Sequence, residues 1–263
     1  GYFWNEPLFG YYNTVDEFVL RKHAEMLADA GVDFIYIDGT NGSFMWEEGV
    51  DTLLKVFAEA KKDGVDAPQV VFWLSLGELR NRIKQLQLMY QRWYSKPEYE
   101  DMWFKWEGKP LVLCYEDVKN ETYDYSVEIH NMFTFRPINP SYFNQGGTDK
   151  YHWGWLSIYP QCKYGKTSDG RPEQMAVGVA QNADSRVNQL SFMAAGDFIM
   201  GRSYAGVHPK TLEEYSYSYT YAGETYVVDQ RNEFSMLAGR NFQQQWDYAI
   251  SCDPDVILVT GWN

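Results

Sequence analysis

Apolar positions along this chain switch between two periods. Phe18, Val19, Met26, Leu27 and Ala30 recur at helical spacing between a Thr14/Glu17 capping box and Gly31, which predicts a helix and its C-terminal stop. A short, nearly continuous apolar run follows at 33–37 and reads as a buried strand. Similar runs predict strands at 70–74, 111–115, 132–135, 153–156, 175–180 and 255–259. Helical spacing predicts further helices at 49–62, 78–94, 185–195 and 241–250. Buried strands alternating with helices predict a parallel sheet.

The repeating strand–helix unit is that of a (β/α)8 TIM barrel in the α/β class, and the whole chain, 1–263, reads as a single domain of that kind. Seven strands are visible where a closed barrel needs eight. No strand precedes the first helix, so the expectation is that strand one lies upstream of Gly1 and that the chain is a fragment. The absence of an initiator Met points the same way. Residues 202–234 show no period and are dense in tyrosine (Tyr204, Tyr215, Tyr217, Tyr219, Tyr221, Tyr226), which predicts an irregular insertion.

Charge narrows the partners. A formal net charge of −13 argues against nucleic acid and against an anionic membrane surface, both of which attract basic faces. No run is long and apolar enough to span a membrane. The content of aromatic residues (Trp 10, Tyr 21, Phe 15) fits a neutral glycan, whose sugar rings expose C–H faces that pack on aromatic rings. Cys114, Cys162 and Cys252 are widely spaced and match neither a metal site nor a catalytic signature; Cys114, inside an apolar run, reads as a core residue. His23, His130, His152 and His208 share no ligand spacing, so neither a metal nor another cofactor is expected. Phosphate-cradling glycine motifs and a Gly-x-Ser-x-Gly elbow are absent from the sequence.

In a barrel, side chains at the C-terminal ends of strands face the active-site mouth. Asp38 holds such a position, in Ile37-Asp-Gly-Thr-Asn41-Gly42, either as an acid, base, nucleophile or sugar ligand, or as the cap of a turn that Asn41 would share. Glu116 and Asp117 follow the strand at 111–115 and are the candidate partners of Asp38 in a carboxylate pair. Such pairs stand about 5–5.5 Å apart in retaining and about 6.5–9.5 Å apart in inverting glycosidases. Gln181 and Asn182 end the strand at 175–180, and amides there suit a ligand rich in hydroxyls. Arg202 is a candidate clamp for hydroxyls or a carboxylate, and Trp73, Tyr115, Trp153, Trp155 and Trp262 are candidate platforms for sugar rings.

Three segments carry a family resemblance: Glu6-Pro-Leu-Phe-Gly-Tyr-Tyr12 leading through 21–27 to Ile37-Asp-Gly-Thr-Asn-Gly42; Trp103-Phe-Lys-Trp-Glu-Gly-Lys-Pro-Leu-Val112; and Asn241-Phe-Gln-Gln-Gln-Trp-Asp-Tyr248 running into Asp253–Asn263. Together they resemble the bacterial barrel proteins of glycoside hydrolase families 71 and 99 and the WbsX-type glycan enzymes. The resemblance implies hydrolysis of a glycosidic bond in a neutral, α-mannoside-like polysaccharide or oligosaccharide, for which secretion or surface display would suit. It also implies catalytic glutamates in an Asn-Glu-Trp-x-Glu segment after the last strand; Trp262 and Asn263 match the opening of that segment, and the acids would lie beyond Asn263. Asp38 and the strand-end amides would then bind substrate. Two alternatives stand beside the hydrolase: a glycan-binding barrel without turnover, and a glycan-assembling transferase, for which the chain shows no diphosphate-binding motif.

Overall fold

The computed structural model describes residues 6–139, 152–157, 159–179 and 239–261 and, between 180 and 238, the paired segments 183–184, 189–190, 206–207, 214–215, 217–221 and 223–228. The chain divides into two compact units, Gly1–Pro137 with Asn263, and Ile138–Trp262.

In the first unit, α1 (Glu17–Asp29) leads through Gly31 into β1 (Phe34–Asp38). The N-cap of α1 is Asp16, whose carboxylate accepts from the Val19 amide, and not the predicted Thr14, which hydrogen-bonds Asn13 instead. Asp16 wins because its oxygen meets the third amide of the helix, one of the donors left free at any helix start. Gly31 is the stop that the sequence predicts; its φ of +70° suits a residue without a Cβ. α2 (Glu47–Lys62) carries acids in its first turn and lysines in its last, complementing its dipole. It feeds β2 (Gln69–Trp73), which precedes α3 (Leu79–Met89).

The predicted helix at 78–94 is two things. α3 ends at Met89 and continues as a π-helical turn, Tyr90–Tyr94. The wider turn brings Trp93 into a stack on Phe72 (5.3 Å between centroids) and Tyr94 onto Trp103 (4.0 Å). The Trp93 indole N–H also donates to Asp51 (2.7 Å), so the ring is satisfied as well as buried.

The hairpin β3 (Lys105–Trp106) and β4 (Lys109–Leu113), then α4 (Ser126–Met132) and β5 (Thr134–Phe135), complete the first sheet. β1, β2, β4 and β5 run parallel in that order, and β3 is antiparallel to β4. The predicted strand at 132–135 gives its first residue to α4. Ile35, Ile37, Val70, Phe72, Leu74, Val112, Cys114 and Phe135 share one apolar core with Leu54, Phe57, Leu86 and Met89 of the helices. Full burial of each large side chain contributes about 1.5–3 kcal/mol.

In the second unit, β6 (Ile138–Asn139) pairs in parallel with β7 (Trp153–Gly154). β8 (Gln174–Gly178) is joined to β7 by a side chain: Gln174 accepts from the Gly154 amide (2.7 Å) and donates to its carbonyl (2.9 Å), as a neighbouring backbone would. Three short antiparallel pairs follow, β9 (Ala183–Asp184) with β10 (Gln189–Leu190), β11 (Gly206–Val207) with β12 (Glu214–Tyr215), and β13 (Tyr217–Tyr221) with β14 (Glu224–Val228). Of the helix predicted at 185–195 only β10 is described, and it is a strand: pairing with β9 overrides the local helical spacing. The Tyr-rich stretch at 202–234 likewise contains two hairpins. Tyr217, Tyr219 and Tyr221 alternate with Ser218 and Thr220, a period of two that fits β13 pairing with β14. α5 (Arg240–Cys252) then returns the chain to β15 (Val256–Thr260), parallel to β8. Ala249, Phe242 and Trp246 of α5 pack on Met175 and Val177. No described helix is long and apolar enough to cross a membrane.

Gly154 has the tightest requirement in this unit, because a Cβ on it would overlap the ring of buried Tyr164. Gly154→Ala should therefore lower stability by about 1–3 kcal/mol, as overpacking does. Urea denaturation checks this: the midpoint should fall at unchanged slope, and an unshifted midpoint would show that the ring moves aside freely.

Candidate active site

Strand alternation assigns the second face of the first sheet. Ile35, Ile37, Val70, Phe72, Leu74, Val112, Cys114 and Phe135 face the helices. Phe34, Tyr36, Asp38, Val71, Trp73, Leu111, Leu113, Tyr115, Thr134 and Arg136 therefore belong to the opposite face. Register aligns the last row: Asp38 is opposite Trp73, and Trp73 is opposite Leu113. Arg136 continues the row beyond Leu113, with its amide donating to Val112 (3.0 Å) and its carbonyl accepting from Cys114 (2.9 Å). An acid thus ends this row on β1 and a buried arginine ends it next to β5. Three strand spacings, about 14 Å of backbone, separate them, too far for a direct pair.

The strand ends are held from below by α3. Gln85 is fully buried; its oxygen accepts from the Ser75 amide (2.9 Å) and its nitrogen donates to the Gly39 carbonyl (2.7 Å), linking the ends of β1 and β2. Arg82, three residues earlier on the same face, donates to the carbonyls of Ser75 (3.1 Å) and Gly77 (2.6 Å). Its other nitrogens form a two-pronged pair with Asp117, and its guanidinium lies 5.3 Å from the centre of the Tyr115 ring. Sequence reasoning missed Arg82, Gln85 and Arg136. The signal for the first two was legible: they sit at the helical spacing of buried Leu86 and Met89, where an apolar residue is the default.

The carboxylates singled out above meet different partners. Asp38 is exposed and accepts from the Thr40 amide (2.9 Å), the Asx turn weighed above, with Asn41 exposed beside it. Asp117 is taken by Arg82, and its side chain is 42% exposed against 6% for the arginine. Glu116 is exposed and pairs with Lys119 (2.7 Å) within a 3-10 turn, Glu116–Asn120. Asp38 and the pair after β4 are two strand spacings apart, about 10 Å of backbone.

The aromatics divide in the same way. Trp73 is 3% exposed and meets Tyr36 edge-on (6.2 Å between centroids). Tyr115 is half-buried; burial pushes its phenol pKa up and nearby Arg82 opposes that. Burial also pushes the Cys114 thiol far above its ordinary range, in keeping with a core residue.

In the second unit, Trp153 is buried with its indole N–H on Glu173 (2.6 Å), and half-buried Trp155 offers its carbonyl to Thr260. Gln181, Asn182, Arg202, Trp262 and Asn263 lie outside the described residues. The end of β8 is held by α5, where Gln245 accepts from the Gly178 amide (2.7 Å) and Asn241 donates to the Gly178 carbonyl (2.8 Å). Among the described residues no cluster of His, Cys, Asp and Glu is arranged to hold a metal ion.

These features define a mixed α/β protein whose parallel strands carry polar and aromatic residues to their C-terminal ends. Two solved structures of a glycoside hydrolase family 99 endo-α-mannosidase from Bacteroides thetaiotaomicron share its fold. One matches with a TM-score of 0.58 over 98% of this chain and 70% of the other, at 14% identity. The second, in complex with bis-tris-propane, matches with a TM-score of 0.54 over 98% of this chain and 74% of the other, also at 14% identity. No protein-family model and no curated protein sequence matches the chain.

Gln85→Leu keeps the volume but leaves the Ser75 amide and the Gly39 carbonyl buried without their partner. The expected cost is about 1–3 kcal/mol for each unpaired group. It should appear as a lower urea midpoint together with faster amide exchange at Ser75; a variant as stable as the parent would show that the two strand ends do not depend on this side chain.

Proposed function

We propose that the chain forms a (β/α)8 barrel, a single domain, that hydrolyses a glycosidic bond in a neutral, α-mannoside-like glycan. The observation that carries this reading is the row at the C-terminal strand ends of the first unit, with exposed Asp38 beside Trp73 and an adjacent half-buried Tyr115, on a fold shared with the family 99 endo-α-mannosidase structures. C-terminal strand ends are where barrel enzymes place their chemistry.

Hydrolysis through an oxocarbenium-like transition state needs two carboxyl groups, one to protonate the leaving oxygen and one to act as base or nucleophile. Asp38 is the described acid best placed to meet a sugar, because it is exposed at a strand end and only one of its oxygens is engaged by the Thr40 amide. Asp117, bound by Arg82, orients rather than transfers protons, and the same guanidinium holds the Tyr115 ring. Asn41 extends the polar rim with an amide that both donates and accepts.

One observation favours a second reading, a glycan-binding module without turnover. The two acids after β4 both meet cations, Asp117 with Arg82 and Glu116 with Lys119, and not a second carboxylate.

A release assay separates the two. The chain is incubated with α- and β-linked neutral oligosaccharides, products are resolved by chromatography, and binding is followed by calorimetry. Hydrolysis predicts a defined product. Asp38→Asn should then lower kcat by orders of magnitude if Asp38 is base or nucleophile, and should weaken binding by about 1.5–3 kcal/mol if it only hydrogen-bonds the sugar. Binding without release would support the module reading for residues 1–263. Neither binding nor release would remove the glycan.

A further inference from the structure

We infer that Phe44 and Trp46, on the loop between β1 and α2, form a stacking subsite for a neutral sugar unit of the glycan, an inference that rests on the glycan reading above. The two rings stand edge to face, 4.8 Å between centroids and 83° apart, and are 46% and 59% exposed.

Folding does not call for an aromatic residue at Trp46. The position is the N-cap of α2, where Ser, Thr, Asp, Asn or Gly is favoured because a short side chain can accept from the first free amides. Trp46 makes no such bond, and its backbone is left-handed, with φ +53°, a conformation costly for any residue with a bulky side chain. More than half of the ring is also left in water. Three preferences are set aside at one residue, and the result is an indole presented to solvent.

The loop that carries the pair is rigidly placed. Gly39 at its start is pinned by its amide to Trp73 (2.8 Å) and by its carbonyl to Gln85 (2.7 Å). Met45, between them in the chain, is fully buried, and its sulfur lies where only a glycine at 39 leaves room, 2.9 Å from an ideal Cβ. At the far end the Trp46 carbonyl accepts from Val50 to start α2 (3.0 Å). Anchoring Met45 inward turns Phe44 and Trp46 outward, so the rings are preorganised and binding orders little.

The occupant follows from the make-up of the loop. Thr40, Asn41 and Ser43 lie on the same short loop, and Asp38 opens it. An exposed aromatic pair on a loop that also carries hydroxyl and amide side chains matches a pyranose, which offers a C–H face to stack and a ring of hydroxyls to hydrogen-bond. A protein partner would want a broader apolar area.

The test uses the whole chain with Trp46→Gly and, separately, Phe44→Ser. Glycine suits both the left-handed backbone and the N-cap, so Trp46→Gly should melt at the parent temperature or above it. If the rings hold a sugar, both variants should bind α-linked manno-oligosaccharides about tenfold more weakly, a loss of about 1.4 kcal/mol. The parent's tryptophan emission should shift on adding the oligosaccharide, and that shift should be lost in Trp46→Gly.

Parent binding that both variants retain would overturn the subsite and leave the glycan reading intact. A parent that binds none of the oligosaccharides would overturn both. A parent that self-associates in sedimentation, with Trp46→Gly monomeric and glycan binding unchanged, would assign the rings to a second copy of the chain instead. A fall in melting temperature of Trp46→Gly would show the indole to be structural, and Phe44→Ser then decides the subsite alone.

Discussion

The strand ends of the first unit depend on one buried amide. Gln85 joins the Ser75 amide after β2 to the Gly39 carbonyl after β1, two groups that leave their strands with no ladder partner of their own. A buried amide or carbonyl without a hydrogen bond costs about 1–3 kcal/mol, and here one side chain answers both. Arg82 extends the device to the carbonyls of Ser75 and Gly77 and to Asp117 beyond β4. The loops at this edge are therefore set by a helix on the other side of the sheet, and the position of Asp38 follows from packing several residues away.

The second unit solves the same problem with different residues. Asn241 and Gln245 of α5, one turn apart, hold both backbone groups of Gly178 at the end of β8, and Gln245 also donates to the Ser157 carbonyl (2.9 Å). Gln161 donates to Ala176 and to Gln245 from another direction. Amides recur in these roles because each offers a donor and an acceptor without a charge to desolvate. In both units a helix face that packs on the sheet also carries the groups that finish the strands.

Much of the scaffold was legible in the chain. The seven predicted strand runs all coincide with observed strands, shifted by a residue or two, because short, nearly continuous apolar runs leave a strong signal. The failures have physical causes. Thr14 and Asp16 both offer a capping oxygen, and only geometry shows that Asp16 meets the Val19 amide. The β13–β14 hairpin was hidden because its tyrosines were read as composition rather than as a period of two. At the candidate site the acids were visible and their partners were not: nothing local to Asp117 says that a helix residue 35 positions earlier will hold it. Polar residues on the buried stripe of α3 were the available clue, and they speak of strand ends only once the sheet is known.

The π turn at Tyr90–Tyr94 has an evolutionary side. Such a turn accommodates one more residue than an α-helix in the same space, and it reads as a single-residue insertion that was kept. Deleting one residue there would restore a regular helix and take away the bulge that aims Trp93 and Tyr94. Trp93 would leave Phe72 and Asp51, and Tyr94 would leave Trp103. Chain length at this point is thus locked by three separate contacts. Homologues of this chain should keep the count constant through residue 94.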